Sequence, residues 1–255
     1  MTIALIRKLE NYVLLTDIEK RSLLEAETTV RTIDPRLDIA CEHDEVEGAI
    51  LLLEGFACRY RLLPDGRRQI LSYMLPGDMC DPRIFLLDHR DHSIASLSRV
   101  RIAVWPRKAV LGLTSIYPRI TRAFWWCALV DEGIIREWLV SLGQRTALER
   151  LSHLICELYY RLKAIDLVYA DGFDFAVTQA ELGDTLGLSA VHVNRTLQDM
   201  RRKRLVRMAG RRLTVLNLDA LATIAMFKPD YLHLNVKERR QTTLAERREQ
   251  AAGTA

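Results

Sequence analysis

Residues 178–204 read TQAELGDTLGLSAVHVNRTLQDMRRKR, and this stretch carries the clearest local signals in the chain. Thr178 is followed three residues later by Glu181, a spacing at which the two side chains satisfy each other's helix-end N–H groups. Gly187 can adopt the left-handed conformation that ends a helix, and Ser189 can then cap a second helix. The stretch therefore predicts two short helices joined by a tight turn.

Apolar spacing indicates how these two helices pack. Leu182 and Leu186 lie one turn apart on the first helix, and Val193 and Leu197 lie one turn apart on the second. Gly183 supplies a small residue where the two helices approach each other. Together these features predict a helix-turn-helix.

Positive charge is concentrated in the second helix and just after it. Between residues 190 and 216 there are eight Lys or Arg residues and one acidic residue, Asp199, whereas the whole chain has a net charge of +4. A basic run can be an ordinary solvated surface, but one that follows a capped helix-turn-helix favours a surface facing DNA phosphates. The expected DNA-contacting residues are Thr178, Gln179, Ser189, Ala190, Val191, His192, Asn194, Arg195, Gln198, Arg201, Arg202 and Arg211.

Composition and cysteine usage limit the class of protein. The chain has 255 residues, 49% of them hydrophobic and 27% charged, which is enough for two globular domains. No apolar run approaches the roughly 18 residues that span a bilayer, and the N-terminus lacks a signal-peptide pattern, so we expect a cytoplasmic protein without membrane contact. The five cysteines form no Cys-x-x-Cys pair, so neither a disulfide framework nor a metal site is expected.

The sequence ahead of the helix-turn-helix divides into three parts. Residues 1–27 have the spacing of short N-terminal helices. Residues 28–111 contain six short β-branched or alternating runs separated by turn signals, which predict an antiparallel sandwich, barrel or roll. Residues 112–143 form the third part, and after Pro118 they have the periodicity of one long helix.

The long helix is apolar on two sides. One side carries Phe124, Cys127, Asp131, Ile134 and Trp138, which alternate by three and four and are the predicted dimer interface. A second flank contains Trp125, Leu129, Ile135 and Leu139. Two apolar sides require two neighbours, which can be the β domain and a second copy of the chain. A core helix packed only within its own chain is the alternative that the periodicity leaves open.

The rest of the chain completes a DNA-binding domain over residues 144–227. A helix begins near Thr146, and two strands within 205–216 flank a tight turn to form a wing. A short last helix follows at 219–227. Residues 228–255 are polar and charge-rich, which predicts a tail that is either mobile or marginally helical.

At this point the order of parts resembles the Crp/Fnr transcription regulators. The resemblance rests on EGFACRY at 54–60, PDGRRQI at 64–70, PGD at 76–78, LGLS at 186–189 and NRTL at 194–197. It implies an α+β fold with an N-terminal antiparallel β-roll, a long dimerisation helix and a C-terminal winged helix-turn-helix. It also implies a homodimer on palindromic double-stranded DNA, with RNA polymerase as a further partner.

The same resemblance implies which residues read DNA bases. Arg195 aligns with the family's recognition arginine, whose planar fork suits the O6 and N7 atoms of guanine. Val191 occupies the position of the family's usual glutamate and can only pack against a thymine methyl. Asn194 can contact an adenine edge, while His192 and Ser189 are expected at phosphates.

The sensory part departs from the family pattern. Cyclic-nucleotide binders carry a Gly-Glu pair and an Arg-Ser pair where this chain has Asp81-Pro82 and His92-Ser93, so cyclic AMP is not the expected effector. No cysteine precedes Cys41, so the family's iron–sulfur cluster is not expected either. No cofactor is predicted. The candidates for a redox, haem or other ligand site are Cys80, His89, His92 and Ser93.

The sequence also bears on two other classes of function. An enzyme is not expected, because the chain has no Gly-rich phosphate loop, no His-Glu-x-x-His and no nucleophile elbow, and no catalytic residue is predicted. A small-molecule-binding signalling module without DNA function is the remaining alternative. Such a module would keep the β-roll, but it would not need a wing or a basic recognition surface.

Overall fold

A computed structural model describes residues 3–26, 28–46, 48–80 and 88–234. It has the predicted α+β architecture of N-terminal helices, an antiparallel β-roll, a long helix and a winged helix-turn-helix. Within these residues, no helix combines the length and the apolar composition needed to cross a membrane.

Two short helices open the chain, α1 (Ile3–Glu10) and α2 (Asp17–Glu25). Helix α1 packs against the Pro-Gly-Asp turn of the roll. Gly77 in that turn has a φ of +87°, and a Cβ there would lie 2.7 Å from the Ala4 carbonyl oxygen, so the approach requires glycine. The Lys8 ammonium lies 2.5 Å from the Asp78 carboxylate and fixes the same contact.

The β-roll consists of two facing four-stranded antiparallel sheets. The strands are β1 (Thr29–Ile33), β2 (Asp38–Ala40), β3 (Gly48–Glu54), β4 (Ala57–Leu62), β5 (Arg68–Met74), β6 (Met79–Cys80), β7 (Ser93–Ser96) and β8 (Val100–Pro106). The first sheet has the order β1-β8-β3-β6 and the second has the order β2-β7-β4-β5. Apolar side chains, including Leu52, Met74 and Ile94, fill the space between the sheets.

The predicted long helix is helix α4 (Pro118–Gln144), which begins where the helical periodicity starts. The predicted segment 112–143 also includes the end of a separate helix, α3 (Arg107–Ile116), which ends before Tyr117. Proline favours such a restart, because it has no N–H to donate and its φ already suits the first turn of a helix.

The predicted dimer face of the long helix is corrected by the structure. Phe124, Cys127, Ile134 and Trp138 are buried in the protomer's own core. Asp131, the polar member of that face, accepts a hydrogen bond from the Arg59 guanidinium of β4 at 3.2 Å. The three-four spacing marked an apolar face correctly, but that face meets the β-roll rather than a partner. The exposed apolar residues of α4 are Trp125, Leu129, Ile135, Leu139 and Val140.

Helix α5 (Ala147–Lys163) joins the two domains through a buried charged network. Its Arg161 lies 2.7 Å from Asp78 in the roll and 3.0 Å from Glu157. Burial by itself raises the pKa of Asp78, but Lys8 and Arg161 outweigh it and hold that pKa at about 2. Asp78 is therefore a charged anchor for both α1 and α5.

The DNA-binding domain follows α5. Its elements are β9 (Gly172–Asp174), α6 (Gln179–Leu186), α7 (Ala190–Arg202), β10 (Val206–Ala209), β11 (Arg212–Val215) and α8 (Leu218–Ala225). The three strands form a sheet in the order β10-β11-β9, and β10 and β11 form the predicted wing.

The predicted tail from 228 onward begins as packed structure. A 3₁₀ turn covers Pro229–Leu232, and Leu232 is fully buried. The Tyr231 hydroxyl donates to Glu157 of α5 at 3.1 Å. These two side chains explain why a segment with a polar composition docks on the core. The remaining predicted tail, 235–255, lies outside the described residues.

Candidate nucleic-acid interface

Helix α6 begins as the sequence predicts. The Glu181 N–H donates to Thr178 Oγ1 at 3.2 Å, and the Thr178 N–H donates to Glu181 Oε2 at 2.7 Å. This reciprocal capping satisfies two N–H groups at the helix start, where no backbone carbonyl can reach them. The start of α6 is therefore fixed by local chemistry.

The turn between α6 and α7 also follows its sequence signals. Gly187 has φ of +64° and ψ of 39°, the left-handed conformation that suits glycine. A Cβ on Gly183 would lie 2.6 Å from the Leu188 carbonyl oxygen, so a larger residue would push the turn away. Ser189 Oγ then accepts the His192 N–H at 3.2 Å and begins α7.

Helix α7 buries one face and exposes the other. Val193, Leu197 and Met200 pack into the domain core. The opposite face carries Val191, which is 70% exposed, and Arg195 one turn later. The other exposed residues of that face are Ala190, His192, Gln198, Arg201 and Arg202.

Three predicted DNA-contacting residues form a chain of amide hydrogen bonds. Asn194 Nδ2 donates to Gln179 Oε1 at 3.1 Å, and Gln198 Nε2 donates to Asn194 Oδ1 at 2.9 Å. The bonds connect the first turn of α6 to the middle of α7. They orient the amide of Asn194, which leaves fewer ways for it to meet a base edge.

The basic residues differ in how strongly they are held. Arg202 lies 3.1 Å from Asp199, and Arg211 in the wing lies 3.3 Å from Asp174. Within the described residues, Arg195 and Arg201 have no ion-pair partner. Among the predicted DNA-contacting arginines, these two guanidinium groups are therefore the most available for a base edge and a phosphate.

Three contacts that sequence reasoning missed join this domain to the roll. Arg68 of β5 lies 2.8 Å from Asp184 of α6. The Tyr73 hydroxyl lies 2.5 Å from Thr185 Oγ1, and Gln69 Nε2 donates to the Thr185 carbonyl at 3.3 Å. The partners are more than 100 residues apart in sequence, so no local pattern marks them.

The weaker sensory candidates are only partly brought together. Cys80 Sγ lies 3.7 Å from His92 Nε2, and His92 Nδ1 lies 2.6 Å from the Asp91 carboxylate. His89 is exposed and forms a β-bridge with Glu45 instead. Asp81 and Pro82 lie outside the described residues. No cluster of three or more metal-ligating side chains occurs in the part of the chain that the structure describes.

Two polar groups beside this cluster bear on ligand binding. Ser93 Oγ accepts the Glu42 N–H at 2.9 Å, so its hydroxyl is already engaged. Arg90, which sequence reasoning did not single out, is buried with Nη2 3.4 Å from the Gly48 carbonyl and Nη1 4.0 Å from Cys80 Sγ. Arg90 lies two residues before His92, and this spacing is not typical of any ligand-binding motif.

The other buried cysteines are unreactive. Burial raises the pKa of the thiols of Cys58, Cys127 and Cys156 to about 12, so each stays protonated at neutral pH. They act as small apolar residues in the core.

Comparisons with known proteins agree with this arrangement. A family model described as a cyclic nucleotide-binding domain matches residues 30–117, and one described as a Crp-like helix-turn-helix domain matches residues 149–224. The transcriptional activator protein FnrL of Cereibacter sphaeroides is 24% identical over 200 residues, which cover 77% of this chain and 79% of that relative. The nitrogen fixation regulation protein FixK of Bradyrhizobium diazoefficiens is 27% identical over 161 residues, covering 63% of this chain and 67% of its own.

Solved structures give the same fold. FixK2 from Bradyrhizobium japonicum superimposes with a TM-score of 0.69 at 22% identity, over 78% of this chain and 97% of that one. TTHB099 from Thermus thermophilus, described as a regulator of the CRP family, superimposes with a TM-score of 0.56 at 21% identity, over 77% and 97%.

Proposed function

Because the chain belongs to the Crp/Fnr family of transcriptional regulators, we propose that it acts as a homodimer on a palindromic DNA site and responds to an effector other than cyclic AMP. The chain is a transcriptional regulator with a helix-turn-helix DNA-binding domain and is not an enzyme. The proposal rests on an exposed apolar stripe of α4, which is formed by Trp125, Leu129, Ile135, Leu139 and Val140. The same chain presents the recognition helix, α7.

The stripe favours a second copy of the chain as its partner. Trp125 is 62% exposed and Leu139 is 71% exposed, with Leu129 and Ile135 between them on the same helix. Ile135, Leu139 and Leu142 are spaced by four and three, as in a coiled-coil seam. A single apolar stripe along one helix is self-complementary under two-fold symmetry, because each helix can cover the other.

Two recognition helices per dimer account for a palindromic site. Each α7 would enter the major groove of one half-site, with the half-site centres about one helical turn apart. Arg195 would read one guanine, and Val191 would pack beside a thymine methyl. Asn194 and Gln198 would meet bases as a linked pair, since they already share a hydrogen bond at 2.9 Å.

The basic residues and the capped helix-turn-helix support contacts with DNA phosphates. Arg201, Arg202 and Arg211 would lie along the DNA backbone, together with the caps Thr178 and Ser189. We further propose that RNA polymerase is a partner at the promoter. A regulator that acts at a promoter would work in the cytoplasm.

The geometry around His92 supports an effector other than cyclic AMP. The Asp91 carboxylate lies 2.6 Å from His92 Nδ1, so negative charge stands beside the ring that replaces the family's phosphate-binding arginine. The Ser93 hydroxyl is engaged by the backbone. Arg90 adds a guanidinium, but its two contacts are with Gly48 and Cys80. Calorimetry with cyclic AMP should give no saturable heat at micromolar ligand.

Sedimentation combined with DNA binding tests the homodimer. Leu139→Glu should convert a dimer to a monomer at micromolar concentration and weaken binding to a palindromic duplex at least a hundredfold. Leu37→Glu is the matched control, because Leu37 is also exposed but lies in the roll. A wild-type monomer with full DNA affinity would overturn the homodimer, and an intact Leu139→Glu dimer would overturn the assigned face.

A further inference from the structure

A cavity of about 650 Å³ lies where the N-terminal helix, the roll and the DNA-binding domain meet. Helix α1 forms one wall, the β3–β4 turn forms another, and the end of α5 with β9 closes the third side. The volume falls in the range of about 300–1,000 Å³ that small-molecule sites occupy. The His92 cluster contributes no residue to this cavity.

The side chains around the interior of the cavity are apolar, and its α1 wall is held in place by polar contacts. Phe56 and Phe173 are buried in the core around it, as is Leu53. Its α1 wall is fixed by the Lys8–Asp78 ion pair and by Asn11 Nδ2, which donates to the Ala164 carbonyl at 3.4 Å. The other apolar lining residues are Ile3, Ala4, Pro76, Leu162, Ile165 and Leu167.

Two arginines lie at the rim and determine the preferred charge of a ligand. The Arg7 side chain is 46% exposed, whereas its partner Asp166 is 72% exposed. Arg101 is 41% exposed, whereas its partner Glu54 is 61% exposed. The cations are therefore less exposed than the acids that neutralise them, and exposed ion pairs of this kind are weak.

An incoming carboxylate can replace such an exposed acid at a guanidinium. It would accept two parallel N–H bonds from one arginine while its apolar body removes water from the cavity. A cationic ligand would have to use Glu54 or Asp174. Their side chains are about 60% exposed, more than those of the two arginines, so water competes more strongly for them.

We propose that this cavity is an effector site for an amphipathic carboxylate, a small acid with an apolar chain. The proposal rests on the proposed function as a DNA-binding regulator, because the cavity wall includes β9 of the DNA-binding domain. Occupancy would connect α1, the roll and the DNA-binding domain through one ligand, and so bias how the recognition helices are presented.

Calorimetry on the full chain without DNA tests the binding step, with decanoate, decanol and decylammonium as probes below their micelle concentrations. Decanoate should bind once per chain, at least tenfold tighter than the other two probes. Affinity should rise roughly fourfold per methylene from hexanoate to decanoate, as expected for a buried chain. Arg7→Gln combined with Arg101→Gln should abolish the preference for decanoate over decanol.

A matched pair of variants locates the ligand. Ile3→Glu places a like charge in the mouth of the cavity and should weaken decanoate binding at least tenfold. Ile18→Glu is the control, because Ile3 is 60% and Ile18 is 69% exposed, each lies near the start of an N-terminal helix, and Ile18 does not line the cavity. An acidic residue near a helix start does not disfavour the helix in either variant.

The outcomes separate the site from the proposed function. No saturable binding, equal affinities for the three probes, or an unchanged Ile3→Glu variant would overturn the proposal while leaving DNA recognition intact. Fluorescence anisotropy with a duplex obtained by site selection should show a decanoate-dependent change in DNA affinity of at least threefold. Binding of decanoate with unchanged DNA affinity would overturn the effector role, whereas failure to select any duplex would contradict the proposed function itself.

Discussion

The Arg68 guanidinium lies 2.8 Å from the Asp184 carboxylate, and this ion pair joins strand β5 of the roll to the first helix of the helix-turn-helix. Beside it, the buried Tyr73 hydroxyl donates to Thr185 Oγ1, because Thr185 Oγ1 already donates to the Glu181 carbonyl at 2.8 Å. The orientation of the DNA-binding domain thus depends in part on one ionic contact that is about a third exposed and on one buried neutral contact. The two contacts should respond differently to substitution and salt.

Tyr73→Phe should lower the free energy of unfolding by about 1 kcal/mol, because it removes a buried hydrogen bond without leaving a large cavity. Urea denaturation measures the change. Tyr169→Phe is the control, since Tyr169 is 80% exposed and its hydroxyl has no hydrogen-bond partner within the described residues. Equal effects of the two variants would show that the Tyr73 hydroxyl does not stabilise domain docking.

The Arg68–Asp184 pair should contribute little to stability. A double-mutant cycle with Arg68→Ala and Asp184→Ala should give a coupling energy of about 0.5 kcal/mol in 0.15 M salt, since both side chains are about a third exposed. The coupling should fall towards zero in 1 M salt, where charges are screened over roughly 3 Å. A coupling that is large and independent of salt would contradict this assignment.

Arg195→Ala should abolish sequence-specific binding, because the exposed guanidinium is the side chain best suited to guanine, a contact of about 1–3 kcal/mol. Arg201→Ala is the comparison variant: it should weaken binding to all duplexes alike and reduce the slope of affinity against salt by about one charge per half-site, or about two per dimer. Measurements on specific and random duplexes distinguish the two results. The assignment fails if Arg201→Ala relaxes sequence preference instead.

Val191→Glu should change which half-site is selected from random duplexes. Glutamate supplies an acceptor for cytosine N4, which the exposed valine cannot offer. Wild type should tolerate several base pairs at that position, and the variant should require one. Identical half-sites with identical stringency would mean that Val191 does not read a base.

Stability should fall with acid because of His153. Burial, with a smaller contribution from Arg145, lowers the pKa of His153 to about 3, although Glu137 lies 3.4 Å from Nε2 and is shared with Arg145. The folded pKa lies below the unfolded value of about 6.5, so the stabilisation is complete above pH 6.5 and is lost as pH falls towards 3.

Urea denaturation between pH 7.5 and 4.5 checks this pH dependence. The free energy of unfolding should decrease by up to about 1.4 kcal/mol per pH unit below pH 6.5 in wild type. His153→Phe should show a shallower dependence, since phenylalanine can still pack on Phe227 and Tyr231. Asp78, with a pKa of about 2, loses its contribution only at lower pH. Equal slopes for both proteins would rule out His153 as the cause.

The structural features that the sequence predicted well are those that depend on contacts between residues close together in the chain. The Thr178–Glu181 capping box and the left-handed Gly187 involve contacts within a few residues, so their chemistry is visible in the sequence. The prediction of the dimer face was wrong, because a three-four spacing identifies an apolar face of a helix but does not identify what packs against it. The polar member of that face, Asp131, contacts Arg59, which lies 72 residues earlier, so no local pattern shows that this face meets the roll.

Non-local packing also explains the other differences. Tyr231 and Leu232 interrupt a polar segment, and only the fold shows that α5 offers Glu157 as a hydrogen-bond acceptor for the tyrosine. The pairing of Arg68 with Asp184 likewise spans 116 residues. Sequence patterns contain the side chains of such contacts but not the distances between them.

Placing Trp125 on the exposed stripe of α4 gives the protein an intrinsic optical reporter. Trp105 and Trp138 are buried and Trp126 is half-buried, so Trp125 is the indole whose surroundings change most when the stripe is covered. An indole moved from water into an apolar contact emits at shorter wavelength. Association can therefore be followed by the emission maximum of the unlabelled protein as it is diluted. The Trp125→Phe variant is the reference, because it lacks the indole whose emission should shift.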